Sequence, residues 1–228
     1  MERDLLKEGL TLLRLGDDGR LESGLRAYIA AIEEWNPAYG LVGAYGDELV
    51  IKHILDSLAP LATLDVLAAE ALAARGTEAT KRGEALSLAD LGTGAGLPGI
   101  PLALAKPGWR VSLVDRMTRR INFLKAMQEN LGLTNAEIVE MQVEHYKGRH
   151  ELVTFRAFRP FERKLFKRVF ASCAPWGYVV AYKGKADKAS AELAEIEGLY
   201  RTARIEPVSV PFLDDERCLV ILSPAPRG

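Results

Sequence analysis

Residues 86–101 read Leu86-Ser87-Leu88-Ala89-Asp90-Leu91-Gly92-Thr93-Gly94-Ala95-Gly96-Leu97-Pro98-Gly99-Ile100-Pro101. A short apolar run ends in an acid, three alternating glycines follow, and two prolines stand where a helix could begin. Leu86–Asp90 is predicted to be a buried strand. The glycines let the chain turn tightly and let backbone approach a ligand that any Cβ would hold off. Proline is tolerated in the first turn of a helix, so a helix is expected from about Gly99.

Working toward the C-terminus, strands and helices alternate. Val111–Asp115 reads as a second strand, 117–131 as a helix, Ile138–Val143 and Leu152–Phe155 as strands. A helix near 161–172, a strand at 178–182, a helix at 187–199 and β-like runs at 205–211 and 218–222 complete the pattern. Such alternation predicts an α/β fold with a mostly parallel central sheet and helices on both faces. Toward the N-terminus the pattern is helical. Leu21, Leu25, Tyr28, Ile29, Ile32 and Trp35 recur at helical spacing, and Asn36-Pro37 is expected to stop that helix. A second helix is expected from Asp47, as N-cap, to Pro60, and an Ala- and Leu-rich third over 61–75. Gly76–Glu84 reads as a linker. The expected division is a helical N-terminal extension packing on the core, residues 1–80, and an α/β domain carrying the glycine loop, residues 81–228.

The composition suits one such fold. The chain has 228 residues, 48% of them hydrophobic, enough for a sizeable core. Lys and Arg number 30 against 31 Asp and Glu, so a nucleic-acid partner would need a local basic face, not a basic coat. Residues 116–168 supply one candidate: Arg116, Arg119, Arg120, Lys125, Lys147, Arg149, Arg156, Arg159, Arg163, Lys164, Lys167 and Arg168, with Phe155, Phe158 and Phe161 interleaved to stack a splayed base. No apolar run is read as a membrane span, and the N-terminus has no signal-peptide pattern. Cys173 and Cys218 form no metal-ligand spacing and read as buried apolar residues, so no metal and a reducing, cytoplasmic setting are expected.

In an open α/β sheet the ligand sits at the carboxyl ends of the strands, where strand order reverses. The loop after the first strand and Asp115, ending the second, are placed for a nucleoside: Asp115 can accept from both ribose hydroxyls. Gly94–Gly99 also matches the G-x-G-x-x-G pattern of dinucleotide sites, and a bare strand–helix turn is the bland alternative. Asp90 ahead of the loop, facing a cationic ligand, and Pro98 and Pro101, which remove amide donors a pyrophosphate would use, favour a methyl donor.

The segment Asp90–Pro101 closely resembles the glycine loop of the ribosomal small-subunit RNA guanine-N7 methyltransferases, the glucose-inhibited division protein B (GidB) family. Trp35-Asn36, His53–Leu58, Arg119–Leu124, Phe155-Arg156-Ala157, Lys183-Gly184 and Glu216-Arg217 are similar to further family signatures, over roughly residues 28–222. Pro37, Glu151-Leu152 and Cys218 depart from its usual pattern. The resemblance implies a Rossmann-like class I methyltransferase fold. It implies S-adenosyl-L-methionine as cofactor, leaving S-adenosyl-L-homocysteine, and transfer to guanine N7 in ribosomal RNA or the small ribosomal subunit. No membrane or obligate protein partner is implied. The residues it carries over for the donor are Asp90, Gly92, Gly94, Gly96, Leu97, Asp115, Val143, Glu144 and Arg156, with Arg156 also the catalytic candidate in the mouth of the site. The roles of His53, Asp56 and Lys183 stay open between pocket and packing. Methylation of the same donor's small-molecule or protein substrates, and RNA binding without turnover, are the competing readings.

Overall fold

The computed structural model describes residues 3–16, 19–76, 85–157 and 160–225. The linker expected over 76–84 lies, apart from Gly76, outside the described residues, as do Phe158 and Arg159.

Seven strands form one sheet: β1 Ser87–Leu91, β2 Arg110–Asp115, β3 Ala136–Glu140, β4 His150–Arg156, β5 Cys173–Lys183, β6 Tyr200–Pro207 and β7 Cys218–Pro224. Their order is β3-β2-β1-β4-β5-β7-β6. β1 pairs in parallel with β2 and β4, and β4 with β5, whereas β7 lies antiparallel between β5 and β6. The order reverses between β1 and β4, so the carboxyl ends of those two strands open the crevice in which this class of sheet binds ligands.

The helices are α1 Leu5–Leu12, α2 Arg20–Tyr39, α3 Gly46–Leu49, α4 Asp56–Leu58, α5 Leu61–Ala74, α6 Gly99–Ala105, α7 Thr118–Asn130, α8 Arg163–Ala171 and α9 Ala186–Glu195. A π-helical turn, Val50–Leu55, joins α3 to α4. Side chains alternate across a strand, so each face of the sheet has its own core. Leu88, Leu152, Val180, Leu219 and Ile221 pack with α1, α2, the π turn, α6 and α7. Ala89, Leu91, Val153, Phe155, Val179 and Val220 pack with α8 and α9 on the other face. Asp90, Thr154 and Arg156 follow the register of Leu88 and Leu152 and therefore point toward the face that the N-terminal helices cover. That alternation is what brings Arg156 to Lys52 and His53 of the π turn and to Asp56 at the start of α4, 100 to 104 positions earlier in the chain.

Several sequence expectations are corrected. Asn36-Pro37 does not stop α2, which continues to Tyr39. Asn36 is buried, and its side chain accepts from the Leu41 and Val42 amides and donates to the Val42 carbonyl, so the turn after the helix is secured and the proline falls in its last turn. Asp47 is not an N-cap: Tyr45 holds that position and Asp47 lies in the first turn, where its charge suits the helix dipole. β3 ends at Glu140, and Val143-Glu144 lie beyond it in a 3-10 turn, Val143–His145. The helical run Gly46–Ala74 is long and apolar enough to cross a membrane by length and composition, contrary to the sequence reading. Its Leu49, Ile54, Leu55, Leu58, Leu64 and Leu67 are buried in the core shared with the sheet. Phe155 and Phe161 cannot stack a base: both are buried, in edge or tilted contact with Phe166. Burying such a ring stabilises the fold by about 1.5–3 kcal/mol, which is lost on exposure. The basic stretch 116–168 is not one surface either. Exposed Arg119 and Lys125 ride on α7 over one face, and exposed Arg163, Lys164, Lys167 and Arg168 on α8 over the other. Sequence neighbours part here because the crossover switches faces between β3 and β4.

Candidate active site

The glycine loop is held from both sides. Gly92, Gly94 and Gly96 all have positive φ, at 69°, 63° and 95°. At Gly96 a Cβ would also strike Ile100 at 2.5 Å. The Gly92 and Thr93 amides donate to the Val114 carbonyl at 2.8 and 3.0 Å. From α2, the buried Tyr28 hydroxyl donates to the Ala95 carbonyl at 2.6 Å. Thus an N-terminal helix fixes the loop by a bond no local pattern could reveal.

Asp90 is fully buried beneath the loop. Its Oδ2 accepts from Thr93 Oγ1 at 2.6 Å and from the Gly99 amide at 2.8 Å. Its Oδ1 has no hydrogen-bond partner among the described residues. Burial raises the carboxyl pKa to about 6, against the lowering effect of those two bonds and of the Arg156 charge. Gly99 has to be glycine for this arrangement, because a Cβ there would overlap Leu113 and lie 2.8 Å from Asp90 Oδ2.

Asp115, at the end of β2, is buried. Its Oδ1 accepts from the Met117 amide at 2.9 Å; its Oδ2 accepts from the Gly94 amide at 3.0 Å and from Arg120 Nη1 at 3.2 Å. Asp115 borders a cavity of about 200 Å³ with Gly92, Arg120, Val143, Glu144 and Ala157. Four expected donor-site residues, Gly92, Asp115, Val143 and Glu144, therefore line one hollow, and Gly94 is tied to it through its amide bond to Asp115. Leu97 is buried in the core, Gly96 is packed against Ile100, and Asp90 lies under the loop; none of these three lines the hollow.

Arg156 faces a second cavity, of about 320 Å³, bordered by His53, Asp56, Tyr182, Lys183, Arg217 and Ala157 among others. Its Nη1 donates to Asp56 Oδ2 at 2.9 Å and to the Lys52 carbonyl at 3.0 Å, and its Nη2 lies 2.8 Å from His53 Nδ1. The other oxygen of Asp56 accepts from Arg217 Nε at 3.0 Å. One buried carboxylate thus joins two guanidiniums, one from β4 and one from the segment before β7. Burial and the Arg156 charge lower the His53 pKa to about 4, so the ring is neutral at pH 7. Lys183 is held by Glu192 at 2.6 Å and sits 4.3 Å from the centre of the Phe161 ring. The two cavities share Ala157, whose φ of 49° is unusual for a residue with a side chain.

Residues 21–220 match the family model described as rRNA small subunit methyltransferase G. The chain belongs to that family. Among its relatives, the ribosomal RNA small subunit methyltransferase G of Stenotrophomonas maltophilia is 35% identical over 96% of this chain and 93% of its own. That of Methylibium petroleiphilum is 33% identical over 94% and 91%. The solved magnesium protoporphyrin IX methyltransferase from Synechocystis, a structure with bound SAM, superposes with a TM-score of 0.53 over 86% of this chain and 97% of that one, at 14% identity. That likeness establishes the Rossmann-like methyltransferase fold. Family membership makes this chain a methyltransferase.

The sequence points to Asp90, Asp115 and Arg156 singly and to His53 and Asp56 as a pair on one helix, without joining that pair to Arg156. It gives Arg217 no role beyond a signature match, includes Thr93 only as a member of the loop, and does not place Tyr28 or Arg120 in the site. Thr93 was legible as the hydroxyl three residues after a buried acid. Tyr28 and Arg217 reach their partners across 67 and 161 residues, and no local pattern marks them.

Proposed function

We propose that the chain transfers the methyl group of S-adenosyl-L-methionine to N7 of a guanine in small-subunit ribosomal RNA. The observation that carries this reading is the meeting at Ala157 of two cavities at the carboxyl ends of the strands, one bounded by Asp115 and the other by Arg156. A nucleoside fits the first. Asp115 Oδ1 accepts one bond and keeps capacity for a second, and Arg120, about a third exposed, can swing off Oδ2 to admit a ribose hydroxyl. Val143 offers an apolar wall to the base. From beneath the loop the buried Asp90 carboxylate adds negative charge that suits a ligand bearing positive charge, without touching it. When bound, the donor supplies an electrophilic methyl on a sulfonium.

Guanine N7 has a lone pair and no proton, so attack needs no general base. The chain's residues agree with that demand. His53 Nδ1 is taken by Arg156, and the ring's low pKa makes it a poor base. What the protein does is position: backbone and carboxylates hold the donor, and the Arg156–Asp56–Arg217 group holds the second cavity in shape so that N7 can line up with the methyl carbon. The methylated base gains a positive charge. Asp56 shared by two guanidiniums limits the positive field that would oppose it. The separated basic surfaces of α7 and α8 support phosphate contact on two sides of the crevice.

Labelled donor, incubated with small subunits and with extracted ribosomal RNA and followed by nucleotide mapping, tests the proposal. Label at one guanine N7 is expected. No incorporation, or label on another atom, overturns it.

A further inference from the structure

The ring of His53 has fixed hydrogen-bonding roles. A guanidinium carries only N–H donors, so the 2.8 Å contact from Arg156 Nη2 makes His53 Nδ1 the acceptor. In the neutral ring the proton is then on Nε2, the other side of the imidazole. His53 borders the larger cavity, and Nε2 makes no hydrogen bond among the described residues. Much of the neighbouring polar wall is already engaged. Asp56 accepts from two arginines, the Tyr182 hydroxyl donates to the Ser57 carbonyl at 3.2 Å, and Lys183 is paired with Glu192. The cavity is thus presented with an N–H that can give a hydrogen bond and cannot receive one.

On the edge of a purine that carries N7, the neighbouring group at position 6 is a carbonyl acceptor in guanine and an amino donor in adenine. We infer that His53 is a specificity-determining residue: its Nε2–H donates to O6 of the target guanine and turns away a purine with a 6-amino group. The inference rests on the guanine-N7 reading given above. Arg156 has a second part here, because it locks the imidazole in the tautomer that reads the base. A 6-amino purine would set donor against donor at the partly buried ring, and that mismatch costs more than the mere absence of a bond.

The test uses small subunits carrying either guanine or 2,6-diaminopurine at the mapped nucleotide. The latter keeps N7 and the 2-amino group, exchanges O6 for an amino group and loses the N1 proton; the change of the ratio on removing His53 isolates the part read at position 6. With wild-type protein, kcat/KM should favour guanine on the order of tenfold to a hundredfold. His53→Ala should bring that ratio close to one by lowering the guanine value. His53→Phe, which keeps ring volume without either nitrogen, should do the same and serves if the smaller side chain disturbs folding. His53→Gln offers Arg156 an acceptor and the base a donor from one amide, and should restore part of the ratio. Donor affinity by calorimetry reports whether each variant is folded. An unchanged ratio in both His53→Ala and His53→Phe, or a wild-type ratio near one, overturns the assignment while leaving guanine-N7 transfer standing. Failure of the wild type to label guanine N7 at all removes the function and this assignment together.

Discussion

Replacing Asp56 with alanine should destabilise the protein more than any exposed ion pair could. Its side chain is 7% exposed, against 14% for Arg156 and 24% for Arg217, so all three charges lie largely out of water. Removing one partner of a buried pair costs about 3–5 kcal/mol, because the remaining charge stays buried and uncompensated. Two features pull the figure to the lower end. Arg156 keeps the Lys52 carbonyl and His53 as acceptors, and Arg217 keeps the Glu216 carbonyl at 2.8 Å. A loss of about 3 kcal/mol is therefore expected, near the lower bound of that range. For a chain of this size it lowers Tm by roughly 6–12 °C, at about 2–4 °C per kcal/mol. Urea unfolding of Asp56→Ala, Arg217→Ala and the double variant gives the coupling directly. Once Asp56 is absent, removing Arg217 should cost little. A loss below about 1 kcal/mol, or additive single effects, would refute the view that Asp56 holds two guanidiniums in place.

Donor affinity should weaken as pH falls through about 6, where Asp90 gains its proton, and the dependence should vanish in Asp90→Asn; calorimetric titration from pH 5 to 8 measures it. Stability carries the opposite sign. The folded pKa of Asp90 lies above the 3.8 of an ordinary aspartate, so its contribution is fully present below pH 3.8 and is lost as pH rises through about 6, making the wild type gain on Asp90→Asn by roughly 2 kcal/mol between pH 7 and pH 4 in parallel urea melts. Tyr28→Phe leaves the Ala95 carbonyl without its buried donor; about 1–3 kcal/mol of stability should be lost, with weaker donor binding, in chemical unfolding and titration. Gly99→Ala should cost about 1–3 kcal/mol by crowding Leu113 and should disturb the Asp90 hydrogen bond, seen as a lower Tm and reduced donor affinity.

The parts of the fold that were legible in the sequence are those with local causes. The strand–glycine–proline pattern at 86–101 and the acid ending β2 placed the ligand crevice, because an apolar run, a turn and a helix start each leave their mark within a few residues. The misread features depend on distant partners. Pro37 is accepted within α2 because Asn36 binds the chain at 41–42. Phe155 and Phe161 are free to stack a base as far as sequence goes, and only their packing against α8 buries them. The π turn that sets His53, Asp56 and the Lys52 carbonyl around a single guanidinium has no composition of its own. His53, Asp56 and Arg156 each stood out as candidates, yet their convergence follows from strand alternation and from which face α1 to α5 cover. Pairing across 100 residues is a property of topology, not of spacing.

The position of β7 has a consequence for how the molecule comes together. β6 pairs with β7 and not with β5, so this edge has nothing to dock on until the following strand has inserted antiparallel beside β5. Contacts of such long sequence separation form late and slowly, because loop closure must precede their reward. Arg217 directly precedes Cys218, the first residue of β7. Zipping of that strand and arrival of the second guanidinium at Asp56 are therefore one event. A refolding chain has no second cavity of the right shape until its sheet is finished, and recovery of methyl transfer should lag recovery of helical signal by the time this strand takes to insert.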